Sequence, residues 1–249
     1  MRTVPEPTGI RIAMWSGPRN ISTALMRSWG NRADTFVCDE PFYAHYLEVE
    51  EVQHPGREEV LAAHERDWRK VISWLTGEIP NGKRVFYQKH MAHHLLPDMD
   101  RTWLSSVVNA FLIRDPREMM TSLVKVMPNA RLQDTGLPQQ FEIFKYVQQH
   151  TGKVPPVIDA RDVLQNPRAV LGRLCDAVGL RFDDAMLRWR RGRRDTDGVW
   201  AKYWYGSVEK STGFGPYQPK PDRVAEDLQP TLEACGTYYA ALYKHRLLA

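Results

Sequence analysis

Residues 107–113, VVNAFLI, are apolar at almost every position rather than at every second one. A strand with that pattern has both faces covered, as in a parallel sheet flanked by helices on either side. The chain then turns directly into a helix. Asp115 is an N-cap residue, Pro116 suits the first helical position, and Glu118 stands three residues past the cap. The same succession opens the chain. Ile10, Ile12 and Met14 alternate with Arg11 and Ala13, Trp15 closes the run, and a helix-favouring stretch begins at Thr23. Further strands are predicted at 35–38, at 84–88 and, weakened by two prolines, at 154–160. Apolar residues at helical spacing predict one amphipathic helix over 58–76, and others at 138–150, 167–178 and 231–247. Strands alternating with helices specify an α/β fold: a mostly parallel central sheet between two helical layers. Ligands in such folds gather at the carboxyl ends of the strands, where residues 16–23, 39–40, 89–94 and 114–115 fall.

The 249 residues, 43% hydrophobic, suffice for one domain spanning 1–249. The stretch 181–222 is irregular and rich in Trp, Arg, Gly and Pro, which predicts a binding loop or lid. A net charge of +4 is too small to argue for nucleic acid and suits an anionic ligand. Cys38, Cys175 and Cys235 are far apart and read as buried apolar residues, not a disulfide framework. No run approaches the length of a membrane span, and the first residues carry no apolar leader, so a cytoplasmic protein without a membrane partner is expected.

The turn after the first strand reads SGPRNIST, residues 16–23. Gly17, the cation Arg19 and the hydroxyls of Ser16, Ser22 and Thr23 precede a helix N-terminus, whose free N–H groups attract phosphate or sulfate. It lacks the Gly-Lys pair of a Walker A loop. On its own it reads equally as an ordinary strand–turn–helix connection. Likewise Arg114, at the end of the apolar strand, has Ser122 eight residues on, which alone fits a plain ion pair and a serine bonded back along its helix.

Taken together, the two segments resemble the sulfotransferase superfamily, which binds 3′-phosphoadenosine 5′-phosphosulfate on a P-loop-kinase-like fold. The family's 5′-phosphosulfate loop reads like Pro-Lys-Ser-Gly-Thr-Thr. Gly17, Pro18, Arg19, Asn20, Ile21, Ser22 and Thr23 occupy its frame, with Arg19 in the lysine's place and acting on the transferred group. Arg114 and Ser122 match its 3′-phosphate motif, and residues 159–180 look like its Asp-Leu-Leu-x-x-Pro region. Registering YQKHMAHHLLP (87–97) on the family's Lys-Thr-His segment puts His90 on the catalytic base and Gln88 on the lysine, with Lys89 one position out.

The remaining assignments follow from this resemblance. His93 and His94 join Asp39, Glu40 and Phe42 as acceptor-pocket residues, the carboxylates either orienting an acceptor or pairing with Arg19. Three nearby histidines also raise a metal reading, but there is no HExxH and no cysteine pair, so no metal is expected. Lys210, Ser211, Thr212 and Gly213 stand where the family closes a loop over the 3′-phosphate. The arginine run 188–194 reads as a solvated basic loop. Ala24 and Ala160 replace the usual adenine-stacking residues, leaving Trp29, Trp200, Trp204 or Tyr205 for that task. The implied activity is sulfuryl transfer to a hydroxyl or amine of a small molecule by a monomer or homodimer, with a histidine base. The alternatives are a P-loop kinase-like phosphotransferase and a non-catalytic nucleotide- or partner-binding relative.

Overall fold

The computed structural model describes residues 9–52, 54–220 and 223–248. Residues 1–8, where no apolar leader was read, lie outside it. Strand β1 (Ile10–Ser16) leads into α1 (Ser22–Gly30), β2 (Thr35–Asp39), α2 (Tyr43–Val49), α3 (Arg57–Ala63) and α4 (Trp68–Thr76). Then come β3 (Val85–Met91), β4 (Val108–Ile113), α5 (Pro116–Leu123), α6 (Leu137–Thr151) and β5 (Val157–Asp159). Helices α7 (Ala160–Gln165), α8 (Pro167–Ala177), α9 (Ala201–Trp204), α10 (Gly206–Glu209) and α11 (Gln229–Tyr243) complete the chain.

The five strands form one sheet in the order β2-β3-β1-β4-β5, every described pairing being parallel. Strand alternation divides the core. Ile12 and Met14 of β1 join one hydrophobic layer, while Ala13 and Trp15 join the other. The connections run to one side of β1 as far as β3 and to its other side from β4 onward, so the ends of β1 and β4 open the crevice where α/β folds bind ligands. Gln140 of α6, fully buried, ties those ends together by donating to the carbonyls of Trp15 at 3.1 Å and Leu112 at 3.0 Å. Asp115 caps α5 as expected, accepting from the N–H of Arg117 at 3.0 Å.

Two elements differ from expectation. The helix expected over 58–76 is two helices, because Asp67 accepts from the N–H of Arg69 and starts α4 afresh, after His64 has left helical geometry. The strand expected over 154–160 is only Val157–Asp159, since Pro155 and Pro156 cannot donate to a ladder. Within the described part of the 181–222 segment, α9 and α10 supply short helical order. All three cysteines are free and buried.

Candidate active site

A cavity of about 490 Å³ opens at the carboxyl ends of β1 and β4. Residues 18–24, Arg114 and Ser122 all line it, so the two motifs share one space. They also touch. Arg19 Nε donates to Ser122 Oγ at 3.0 Å, and Arg114 Nη1 donates to the carbonyl of Arg19 at 2.8 Å. The turn is held in a strained form. Arg19 and Ile21 have φ of 61° and 57°, left-handed values that cost a non-glycine residue about 1–3 kcal/mol and collect at functional sites. Ile21 precedes α1 without a side-chain cap, leaving the helix's first N–H groups to the cavity. Gly17 is required by packing, since a Cβ there would lie 2.3 Å from the carbonyl oxygen of Thr135.

Three cations meet at this end. Arg114 pairs with Glu118 at 3.2 Å, and Lys220 also lines the cavity. Burial and then the neighbouring Arg114 push the Arg19 pKa down. Burial, Arg114 and Arg19 do the same to Lys220. Mutually repelling cations in a half-buried site form a receptor for an anion. Lys220 carried no sequence signal. It arrives on a segment that folds over α5, where Tyr217 OH donates to Glu118 at 2.5 Å.

Of the lid residues expected at 210–213, Ser211 and Gly213 line the cavity, while Lys210 and Thr212 do not. Thr212 instead accepts from the N–H of Trp189 at 3.0 Å, tying the lid to the arginine run. Within that run Arg194 donates to backbone carbonyls of Arg191, Gly192 and Arg193 at 3.0–3.4 Å, so one of its arginines folds the loop on itself.

The opposite end is built on β2 and β3. Lys89 is fully buried, with Nζ 2.8 Å from Asp39, in contact with Glu40 and 3.0 Å from Tyr205 OH. Tyr205 OH donates to Asp39 at 2.6 Å, and the N–H of Gly198 reaches the same carboxylate at 3.2 Å. Glu40 lines the cavity, whereas Asp39, expected in the acceptor pocket, lines a separate cavity instead. Neither pairs with Arg19 among the described contacts. His93 and His94 line the cavity as expected, with His94 stacked on Tyr43 at 4.6 Å and its Nδ1 3.8 Å from Glu40 Oε2. Burial drives His94 well below the ordinary histidine range and His93 down to about 4, so both imidazoles are neutral at pH 7.

His90 is not at the site. Phe86, Gln88 and His90 take one face of β3, and Val85, Tyr87 and Lys89 the other. His90 is stacked on Trp15 at 4.4 Å and near Phe42 at 5.5 Å, away from the cavity, with burial pushing its pKa down to about 3. Phe42 belongs to that aromatic cluster and not to the acceptor pocket. Met91, the next residue along β3, lines the cavity and cannot take a proton. Gln88 is spent donating to the carbonyl of Leu75 at 2.8 Å. Trp29 is likewise core, stacked on Tyr87 at 5.2 Å, whereas Trp200, Trp204 and Tyr205 do line the cavity. His90→Ala is therefore expected to lower the melting temperature while leaving nucleotide binding and turnover intact, checked by thermal denaturation beside an activity assay.

A five-stranded parallel sheet with a strand–turn–helix at its switch point defines an α/β protein of the P-loop-kinase-like kind. A model of the sulfotransferase domain matches residues 10–246, and the chain belongs to that family. The chain is 34% identical over 234 residues to branched-chain-amino-acid aminotransferase-like protein 2 of Arabidopsis thaliana, covering 94% of this chain and 41% of that one. It thus spans about two fifths of that relative's length. The sulfotransferase domain from the curacin biosynthetic pathway shares the fold with a TM-score of 0.56 at 15% identity, over 93% of this chain and 99% of that one. A sulfotransferase from Alicyclobacillus acidocaldarius does so with a TM-score of 0.52 at 14% identity, over 96% and 97%.

Proposed function

We propose that this sulfotransferase moves a sulfuryl group from 3′-phosphoadenosine 5′-phosphosulfate to a small-molecule acceptor, with no metal, in a cytoplasmic setting, and works as a monomer or homodimer. The observation that carries the donor is the 3.0 Å contact between Arg19 and Ser122, which puts the 5′-type loop and the 3′-type motif in one cavity. The helix N-terminus at 21–24 and Arg19 hold the phosphosulfate; Arg114, Ser122 and Lys220 hold the other phosphate. The acceptor oxygen attacks sulfur in line, the S–O bond to the 5′-phosphate breaks, and the electron pair leaves on the phosphate oxygen. The acceptor's proton passes to His94, a neutral imidazole at the cavity wall with Glu40 Oε2 3.8 Å from its Nδ1 to balance the charge that arrives.

A kinase-like phosphotransferase is disfavoured because the loop carries Arg19 and no lysine. The aminotransferase term belongs to the name of a relative of which this chain covers 41%, and it is not carried over to this chain. The reading predicts that 3′-phosphoadenosine 5′-phosphate raises the melting temperature more than ATP with magnesium does. Arg114→Ala should weaken that binding roughly 10- to 100-fold, the value of about 1.5–3 kcal/mol for hydrogen bonds to a charged group. A larger shift with ATP would transfer the protein to the kinase reading.

A further inference from the structure

The cavity is electrically divided. Its cations, Arg19, Arg114 and Lys220, serve the nucleotide. Glu40 is the one carboxylate among its described lining residues. The cavity that Glu40 lines also carries the rings of Tyr43, Tyr46, His94, Trp200 and Trp204. Tyr43 and Tyr46 each lie 4.6 Å from His94 and 6.4 Å from each other, so the three rings pack as one cluster, and Trp200 meets Tyr43 edge-on at 5.0 Å.

The charge around Lys89 does not balance. Lys89 is one cation against two carboxylates. Asp39 is satisfied by Lys89, by Tyr205 and by the N–H of Gly198. Among the described contacts the Glu40 side chain accepts one hydrogen bond, from Lys89 to Oε1. Its Oε2 faces His94 at 3.8 Å, beyond hydrogen-bond length, and His94 Nδ1 is a buried nitrogen with no partner. Glu40 also sits at φ 43°, a left-handed conformation the fold maintains at this residue. The second carboxylate oxygen of Glu40 is open to the cavity and can receive a cation there. Aromatic walls are the surface that receives a substituted ammonium, whose charge is spread over its alkyl groups.

On the sulfotransferase reading above, we propose that the acceptor is an amino alcohol, a small organic cation whose ammonium end seats against Glu40 inside these rings and whose hydroxyl receives the sulfuryl group. A protonated or quaternary nitrogen has no lone pair, so the hydroxyl is the nucleophile. The new bond is oxygen to sulfur, the bond broken is sulfur to the 5′-phosphate oxygen, and the hydroxyl proton goes to His94. The nitrogen keeps its charge throughout.

The test is calorimetric titration of the protein saturated with 3′-phosphoadenosine 5′-phosphate, using choline, its uncharged carbon isostere 3,3-dimethylbutan-1-ol, and phenol as probes. Choline is expected to bind roughly tenfold or more tightly than the isostere, the effect of a desolvated cation–π contact. Glu40→Gln should lower that preference, leaving the part the rings supply, while keeping the stabilisation by nucleotide, which shows the variant is folded. Equal or tighter binding of the isostere or phenol to the wild-type protein overturns the proposal, and that comparison needs no variant. A preference unchanged in Glu40→Gln overturns it as well. Failure of the nucleotide alone to stabilise the protein overturns the sulfotransferase reading, and this proposal falls with it. A nucleotide shift without choline binding overturns the amino-alcohol assignment only.

Discussion

Lys89→Met is expected to lower the unfolding free energy at pH 7 by about 3–5 kcal/mol, the usual cost of removing one partner of a buried ion pair, measured by urea denaturation. Methionine matches the lysine stem closely, so the loss is electrostatic. Lys89 is fully buried, with Asp39 and Glu40 both on its ammonium. Without it two carboxylates face each other in a dry site. The loss should depend on pH. Burial already raises the Glu40 pKa, Lys89 opposes that rise, and Asp39 adds to it. Removing Lys89 lets the folded-state value climb further above the unfolded one near 4.5. A group raised on folding favours the native state below its unfolded pKa, and that support is lost as pH rises through the folded value. The deficit of Lys89→Met is therefore largest at neutral pH and shrinks on acidification toward pH 4.5. A deficit that stayed constant with pH would mean that packing, not charge, sets the cost.

The alternation of strands and helices could be read from the chain because local signals and tertiary demands agree. The run 107–113 is buried on both faces as its composition requires, and Asp115 caps the helix it announces. The meeting of Pro18–Thr23, Arg114 and Ser122 in one cavity was equally legible, since these are short contiguous stretches at or just after strand ends. The opposite end was less so. His90 and Lys89 are adjacent in sequence and lie on opposite faces of β3, so a register of one residue decides whether a core histidine or the lysine against Glu40 is singled out. Lys220, Trp200, Trp204 and Tyr205 come from a segment without periodicity, and only folding places them over the sheet. Asp67 broke the 58–76 helix while every apolar residue kept helical spacing, because spacing reports which face is buried and not whether the backbone is continuous.

Arg19→Gly is expected to lose activity without losing stability. Arg19 pays a conformational cost at φ 61° that glycine does not. Its guanidinium is pushed toward the neutral form by burial and by Arg114, so the native state holds it against both strain and repulsion. What retains it in the proposed reaction is the charge it presents beside the uncapped start of α1, where negative charge builds on the bridging oxygen as the S–O bond breaks. Loss of one such donor typically lowers kcat by about 10²–10³-fold. Glycine relieves the strain but widens the unfolded ensemble, two effects of about 1 kcal/mol that oppose each other, so the melting temperature should not fall. Arg114, which holds the backbone carbonyl of residue 19 and not its side chain, keeps its bond in the variant, and nucleotide affinity should weaken far less than kcat. Steady-state kinetics beside a melting curve separates the cases. A kcat loss with an unchanged melting temperature assigns Arg19 to the transition state, whereas parallel losses of both would make it a structural residue of the loop.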